Sequence, residues 1–302
     1  MLYIFVINGR KDKVAAIEAD LKKQISEIDM PPYKIYKTEG IGDGTRFVRI
    51  YCDLHQKDEV CFIACGGSGT ANEVASGIVG FEGKSMAIMA YGSTNDFTKH
   101  YPDRDFTSLK KIIGGENVLI DIIRANDSYS INVINIGFDA AVVHSSTKYL
   151  EKGIEGVKAF KRGVMDSVLT HRINPIRITC DGERLNRKYM LLCSIGNASW
   201  CGGQYKCSPR AKTDDGLMEV CLIKPSTLIG FLAMLPKYQA GTHLEDGFCM
   251  KRMVYRQAKH VELTSKDLIY ISNDGELVAA SRFDIDVLPK AINLVLPRSE
   301  KQ

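Results

Sequence analysis

Fifteen residues, 60–74, with the sequence VCFIACGGSGTANEV, decide the fold. An unbroken apolar run, typical of a buried parallel strand, enters a glycine-rich turn and continues into a helical pattern. Glycines let backbone N–H groups approach an anion closely, and the start of a helix adds the positive end of its dipole. The stretch therefore predicts a strand–turn–helix unit that binds phosphate, with an unliganded tight turn as the alternative. It is not a P-loop, because no lysine follows the last glycine.

A second strand-to-turn unit, residues 88–97 with the sequence IMAYGSTNDF, follows in the chain. Both turns then lie at the carboxyl ends of neighbouring parallel strands, which is where open α/β sheets bind their ligands. Two such turns side by side favour a ligand site over a purely structural turn.

The sequence around these units alternates apolar runs with helix-period stretches over the first 125 or so residues. The predicted strands are 2–8, 33–37, 60–64 and 86–89, and the predicted helices are 12–27, 45–54 and 72–79. This alternation predicts βαβ units and a doubly wound parallel sheet.

From Tyr129 onward the pattern changes to closely spaced β-strands. The strands predicted there are 130–136, 175–180, 190–195, 217–223, 261–263, 268–272, 283–287 and 292–296. The fold class is therefore predicted to be α/β, with an N-terminal doubly wound nucleotide-binding domain over 1–127. A β-rich, antiparallel, sandwich-like domain is predicted over 128–302, with a cleft between the two.

Two helical stretches interrupt the second domain. Apolar residues recur at steps of three and four over 147–172, with lysines and arginines between them, which predicts an amphipathic basic helix. Such a helix either packs on its own sheet or touches a membrane. The stretch 226–239 begins with a serine and predicts a core helix.

The composition excludes several classes of protein. The chain has 302 residues, of which 45% are hydrophobic and 25% charged, so disorder, collagen and coiled coil are excluded. A net charge of +4 is too small to indicate a nucleic-acid partner. The nine cysteines form no C-x-x-C pair, which fits neither a disulfide framework nor a zinc site and favours the reducing cytosol. The first strand lacks a basic leader, and no apolar run is long enough for a membrane span.

Five motifs in order resemble the soluble diacylglycerol kinase catalytic family, which includes bacterial diacylglycerol kinases and sphingosine kinases and is distantly similar to NAD kinases. The family pattern G-G-D-G-T-x-N-E-V is matched over 66–74 except at Ser68, and G-T-x-N-D-F is matched over 92–97, with Ser93 and Thr94 in the T-x places. The other three motifs are 132–140, the glycine-rich and Asp-Gly-Leu segments 196–217, and Asp274-Gly275-Glu276.

The resemblance implies ATP and Mg²⁺ as cofactors and assigns roles to residues. The implied nucleotide-binding residues are Thr38, Gly66, Gly67, Ser68, Gly69, Thr70, Ala71, Asn72 and Thr94. The implied catalytic residues are Glu276 as the general base, with Asp274 and Asp121 as carboxylates near the reacting centre. The implied Mg²⁺ ligands are the Asp215 side chain and the backbone carbonyls of Lys212 and Leu217.

The residue types suit this chemistry on their own. Phosphoryl transfer needs donors around the moving charge and a carboxylate that accepts the hydroxyl proton. Taken alone, the Asn-Asp-Gly-Glu stretch 273–276 equally predicts a plain hairpin, and Asp214-Asp215-Gly216 a solvated turn. Gly9 stands where the family commonly has proline. Ser68 replaces the family aspartate, and a hydroxyl carries no charge, binds Mg²⁺ weakly and cannot act as a carboxylate base.

The sequence thus predicts a cytoplasmic ATP-dependent lipid kinase of phospholipid metabolism. It would phosphorylate the hydroxyl of a membrane lipid such as diacylglycerol through peripheral contact with the membrane, with a homodimer left open. One alternative is a weak or inactive nucleotide- or lipid-binding relative in which Ser68 has reduced the chemistry. Another is a kinase for a different hydroxyl-bearing lipid.

Overall fold

The computed structural model describes residues 1–9, 14–92, 95–154, 158–159, 162–163, 166–167 and 174–299. Two compact units emerge from it. The first comprises Met1–Ile122 together with the chain from Leu288 onward, and the second comprises Ile123–Val287. The chain therefore passes from the first unit to the second and returns to the first at its C-terminal end.

The first unit is built on a parallel sheet. Its strands are β1 (Leu2–Ile7), β2 (Tyr33–Lys37), β3 (Val60–Gly66) and β4 (Lys84–Ala90), and its helices are α1 (Val14–Ser26), α2 (Asp43–Leu54), α3 (Ser68–Ile78) and α4 (Leu109–Ile113), with a 3₁₀ turn at Phe97–His100. The strand order is β2-β1-β3-β4, all in parallel pairs. Strand β5 (Glu116–Ala125) begins in this unit.

Burial explains why these strands read as unbroken apolar runs. Every residue of β3 is buried, as are the last five residues of β1. Phe5, Ile63 and Met89 pack in one cluster with Leu21 of α1 and Leu109 of α4. Strands covered on both faces have no solvent side that would call for alternating polar residues. The predicted α/β fold class is confirmed.

The second unit is built on antiparallel strands. They are β6 (Ser128–Ser130), β7 (Val133–Gly137), β8 (Arg177–Cys180), β9 (Glu183–Arg184), β10 (Leu192–Gly196), β11 (Met218–Ile223), β12 (Met253–Ala258), β13 (His260–Asn273) and β14 (Glu276–Leu296). The described helices are α5 (Phe138–Glu151), α6 (Leu228–Ala240) and α7 (Gly247–Met250). The pairing order is β12-β11-β10-β7-β13-β14, and β8 also pairs with β13.

Several elements differ from their prediction. The stretches 261–263 and 268–272 are one strand, β13, with an irregular register between Thr264 and Ile269. Strand β14 likewise joins two predicted strands and ends in the first unit, where Leu294 pairs with Met86. Strands β5 and β12 were not predicted. Of the basic helix predicted over 147–172, residues 147–151 belong to α5, and much of the rest lies outside the described residues.

The cysteines lie in the interior of the protein. All nine are buried free thiols. Burial raises the pKa of Cys52 to about 11 and that of Cys61 to about 12. Among the described helices, none combines the length and the apolar character that crossing a membrane requires.

Candidate functional site

The carboxyl ends of the parallel strands of the first unit meet at one edge. The register pairs Ile7 of β1 with both Lys37 and Cys65, and it pairs Gly66 with Ala90. The residues that follow these positions are Asn8 and Gly9, Thr38, Gly67, and Tyr91 and Gly92. The two turns that the sequence singled out are therefore neighbours.

Two glycines at this edge are required by close backbone approach. A Cβ atom on Gly9 would lie 1.6 Å from the Thr38 carbonyl oxygen, and one on Gly92 would lie 2.4 Å from Cα of Gly67. The Gly92 N–H also donates to the Gly66 carbonyl oxygen at 3.0 Å. No side chain fits between these strand ends, so the turns present backbone at this edge.

Helix α3 begins at Ser68, directly after the glycines. Its N-cap is Gly67, which has extended backbone and no side chain that could cap the helix. The first N–H groups of a helix have no partner within it, and they point out along the positive end of the dipole. An anion at this edge would therefore meet several backbone donors.

The side chains of this edge are tied to one another. The Asn8 side-chain amide donates to Thr70 Oγ1 at 3.2 Å, and the Gly9 N–H donates to Thr38 Oγ1 at 3.1 Å. Thr38 is itself held by its N–H, which donates to the Ile7 carbonyl at 2.9 Å. The structure thus brings Thr38 and Thr70, two of the predicted nucleotide-binding residues, to the same edge.

Ser68 lies against the second turn. Its hydroxyl oxygen accepts from the Asp96 N–H at 3.4 Å, and the Asp96 carboxylate forms an ion pair with Lys99 at 3.0 Å. The residue that contacts Ser68 through its backbone N–H therefore also forms an ion pair through its side chain. Thr94, predicted to contact the nucleotide, lies outside the described residues.

Glu73 has a structural role that sequence reasoning missed. Its two carboxylate oxygens accept from the N–H groups of Gly42 and Gly44, each at 2.8 Å, at the start of α2. Burial raises the pKa of Glu73, and these two hydrogen bonds oppose that rise. Glu73, the acidic residue of the motif over 66–74, therefore fixes the start of α2 and does not face the strand edge.

Asp121, on β5, is fully buried in the first unit. Its Oδ1 accepts from the backbone N–H of Lys290 at 2.8 Å. Lys290 has a φ of 52°, a conformation that a lysine seldom adopts unless its surroundings hold it. The contact therefore anchors the returning end of β14.

Asp274 lies in a two-residue hairpin turn between β13 and β14. Asp274 and Gly275 have φ values of 48° and 93°, as a type I′ turn requires. The carboxylate accepts from Ser130 Oγ and from the N–H groups of Ile131, Asn132 and Val133, at 2.9–3.2 Å. Burial outweighs these four donors and raises the pKa of Asp274 to about 6. Asp274 therefore holds the loop before β7.

Three of the sequence motifs converge on this loop. The side-chain amide of Asn197, after β10, donates to the Ile131 carbonyl at 2.8 Å. The N–H groups of Asn197 and Ala198 donate to the Asn132 carbonyl at 2.8 and 3.1 Å. Glu276 follows the hairpin and is half-buried at the first position of β14. The loop thus fixes the turn that carries Glu276.

The predicted Mg²⁺ turn is closed by its own aspartate. Asp215 Oδ1 accepts from the Leu217 N–H at 3.0 Å, with Gly216 at a φ of 71° between them. No group of three or more His, Cys, Asp and Glu side chains within the described ranges is arranged to hold a metal. A cation at this turn would therefore depend on backbone carbonyls, as the family resemblance implies.

A second carboxylate, that of Glu219, lies near the predicted Mg²⁺ turn. Glu219 is only 1% exposed, and its Oε1 accepts from Gln257 Nε2 at 2.9 Å. Its Oε2 is buried and has no hydrogen-bond partner among the residues that the structure describes. Burial raises the pKa of Glu219, and the nearby negative charge of Asp215 raises it further. An all-oxygen donor set with a buried, unsatisfied carboxylate oxygen fits Mg²⁺.

A surface hollow of about 290 Å³ lies in the first unit and is lined in part by Lys290, whose N–H donates to Asp121. Its lining includes Lys84, the first residue of β4, together with Ile78, Leu119 and Asn293. Lys84 is at the amino end of its strand, opposite the edge that carries Gly66 and Gly92. The hollow is therefore separate from the strand edge that carries the glycine turns.

Family profiles match both parts of the chain. The profile of the diacylglycerol kinase catalytic domain matches residues 3–125, and that of the YegS C-terminal NAD kinase beta sandwich-like domain matches residues 132–296, more than half of the chain. The chain belongs to this family of diacylglycerol kinases and YegS-like lipid kinases.

Individual family members are similar over most of their length. The YegS-like probable lipid kinase of Enterobacter sp. (strain 638) is 27% identical over 264 residues, which cover 85% of this chain and 83% of that protein. The diacylglycerol kinase of Staphylococcus aureus (strain bovine RF122 / ET3-1) is 28% identical over 244 residues, which cover 80% and 75%. A crystal structure of a diacylglycerol kinase from Bacillus anthracis str. Sterne superposes with a TM-score of 0.69 at 18% identity, covering 97% of this chain and 96% of that one. That superposition supports the fold.

Proposed function

We propose that this lipid kinase family member transfers the γ-phosphoryl group of ATP to the hydroxyl of diacylglycerol or a similar membrane lipid. The observation that carries the proposal is the strand edge of the first unit. There, two glycine turns in backbone contact lie beside the uncapped start of α3. Backbone donors of this kind recognise the phosphates of a nucleotide.

In the proposed reaction, residues 66–72 and Thr38 hold the phosphates of ATP. The lipid hydroxyl oxygen forms a bond to the γ-phosphorus, and the bond from that phosphorus to the bridging oxygen breaks, so that ADP leaves. Glu276 accepts the hydroxyl proton as general base. Its backbone is held by the hairpin, which the Asp274 carboxylate ties to the loop before β7.

The other two carboxylates have positioning roles in this proposal. Asp121 and Asp274 each accept backbone N–H donors that come from distant parts of the sequence. Mg²⁺ held by Asp215, the carbonyls of Lys212 and Leu217, and Glu219 would supply positive charge that fixes the turn before β11.

Turnover of radiolabelled ATP in detergent micelles that contain single lipids tests the proposal. The panel consists of diacylglycerol, monoacylglycerol, ceramide and a sphingoid base, each with and without Mg²⁺. Mg²⁺-dependent labelling of diacylglycerol supports the proposal, and labelling of another lipid alone supports the kinase for a different hydroxyl substrate.

A second candidate, a relative that binds nucleotide without turnover, is favoured by Ser68. The side chain at this position carries no charge and accepts a long hydrogen bond from the Asp96 N–H. ATP binding by calorimetry, combined with no labelling of any lipid in the panel, would support this candidate and contradict the kinase.

A further inference from the structure

Helix α6 exposes apolar side chains although its sequence predicts a core helix. Ile229 is 82% exposed and Leu232 is 50% exposed, and Ala233 and Pro236 of the same helix are exposed as well. The opposite face is buried through Phe231 and Met234. The helix is therefore apolar on both faces, and only one of them packs against its own unit.

Helix α7, which Arg252 links to α6, exposes two more apolar residues. Phe248 and Met250 are 41% and 40% exposed. Arg252 joins the two helices: its guanidinium stacks 3.7 Å from the centre of the Phe248 ring, and a Cβ on Gly230 of α6 would lie 3.8 Å from its Nε. We call Ile229, Leu232, Phe248 and Met250 the α6–α7 patch.

The charges around the α6–α7 patch are mostly positive. The segment 224–252 carries Lys224, Lys237, Lys251 and Arg252 against two carboxylates, Glu245 and Asp246. The Asp246 carboxylate caps α7 by accepting from the N–H groups of Phe248 and Cys249. It also lies 3.8 Å from the Lys237 ammonium group.

Three of the cations cluster at one end of α6. The Lys224 N–H donates to the Arg252 carbonyl at 2.8 Å, and Lys224 Nζ donates to the Lys251 carbonyl at 3.4 Å. Lys224 and Lys251 are both exposed. The apolar patch is therefore bordered by an exposed basic cluster.

We propose that the α6–α7 patch docks the second unit on an anionic lipid bilayer. Exposed aliphatic and aromatic side chains enter the acyl boundary, and lysine and arginine meet the headgroup phosphates. The stacking of Arg252 on Phe248 puts a cation directly beside an aromatic ring, and this combination suits the interface between headgroups and acyl chains. The inference rests on the proposed function, because a kinase for a membrane lipid must meet its substrate at the bilayer surface.

Sedimentation with vesicles tests the patch without ATP or diacylglycerol. The full-length protein is mixed with vesicles of phosphatidylcholine alone, or of phosphatidylcholine with phosphatidylglycerol. We expect binding to the anionic vesicles, weakened by salt. The double variant Ile229→Asp with Leu232→Asp should bind at least about tenfold more weakly. Lys224→Gln and Lys251→Gln should each lower binding to anionic vesicles by about fivefold.

Leu54→Asp is the matched control. Leu54 is 76% exposed at the end of α2 in the first unit, so the same change of chemistry is made away from the patch. We expect wild-type vesicle binding for this variant. Thermal unfolding and circular dichroism of every variant establish that it is folded.

Three results would overturn the proposal. They are wild-type binding by the folded Ile229→Asp, Leu232→Asp variant, equal weakening by Leu54→Asp, and no vesicle binding by the wild type. Loss of self-association in sedimentation velocity, with vesicle binding unchanged, would instead identify the patch as a contact between copies. Turnover of a short-chain diacylglycerol without vesicles tests the proposed function separately, because docking is not needed there.

Discussion

Gly92 and Gly67 touch through their backbones, so that a Cβ on Gly92 would lie 2.4 Å from the Gly67 Cα. The two turns at this strand edge are therefore packed without room for a side chain. Because the clash is with backbone, neither turn can relieve it by a change of rotamer.

Gly92→Ala should destabilise the protein by about 1–3 kcal/mol, the usual cost of overpacking, and should weaken ATP binding. Gly40→Ala is the control, because a Cβ there meets nothing within 4 Å. Urea unfolding and calorimetric titration with ATP measure both effects. Equal unfolding free energies and equal ATP affinities of the two variants would show that the turns are not tightly packed.

Asp274→Asn should destabilise the second unit by about 1–3 kcal/mol at pH 7. The asparagine amide would place its NH₂ group against a backbone N–H group that now donates to the carboxylate. Asp267→Asn, an exposed aspartate on β13, should have little effect. Urea unfolding followed by fluorescence provides the comparison.

The cost of Asp274→Asn should also depend on pH. The pKa of Asp274 in the folded protein is about 6, above the ordinary value of 3.8. The wild-type carboxyl therefore contributes stability that is full below pH 3.8 and is lost as the pH rises through 6, up to about 3 kcal/mol. The difference in unfolding free energy between wild type and variant should widen as the pH falls from 7 to 4. A constant difference would contradict the raised pKa.

Glu276→Gln should lower kcat by about 10²- to 10⁴-fold, since the amide removes proton acceptance alone. ATP affinity should change little. Glu183→Gln, on the exposed strand β9, serves as the control. Initial rates on micelles with diacylglycerol, under conditions in which chemistry limits the rate, are the measurement. An unchanged kcat would place the base elsewhere.

Ser68→Asp should raise Mg²⁺-dependent phosphoryl transfer by about 10²- to 10³-fold, the usual effect of one electrostatic group. A carboxylate in the first turn of α3 suits the helix dipole. Initial rates and ATP titrations on the same micelles compare the two proteins. Slower transfer together with weaker ATP binding would mean that the site is adapted to serine.

Mg²⁺ should raise the midpoint of thermal unfolding of the wild type, by mass action on the folded state. Asp215→Asn and Glu219→Gln should each remove most of that increase, because each deletes a charged oxygen ligand. Asp214→Asn, the adjacent exposed residue, should keep it. A wild-type response in Glu219→Gln would show that its buried Oε2 does not face the cation.

Local sequence patterns predicted the elements that form the strand edge proposed to bind phosphate. The apolar run of β3, the glycines after it and the helical period of α3 are properties of consecutive residues. Strand β5 was missed, although its residues 120–123 are buried. Its residues do not form the short unbroken run by which β3 was identified, so its assignment depends on neighbours elsewhere in the chain.

The roles of the carboxylates depended on contacts that the sequence pattern does not contain. Asp121 accepts from Lys290, which is 169 positions away, and Asp274 accepts from Val133, which is 141 positions away. The motif residue Glu73 likewise acts on α2, through Gly42 and Gly44. A carboxylate has the same chemistry in every sequence, and its role is set by the donors that folding brings to it.

The sequence by itself determined the alternation of strands and helices along the first unit, the position of the glycine turns and the family. It did so because burial and glycine sterics act on neighbouring residues. Only the tertiary structure decided which carboxylates accept hydrogen bonds from backbone N–H groups. It alone revealed the buried Oε2 of Glu219. It also decided that α6 leaves Ile229 and Leu232 in solvent, because the face that a helix buries depends on what packs against it.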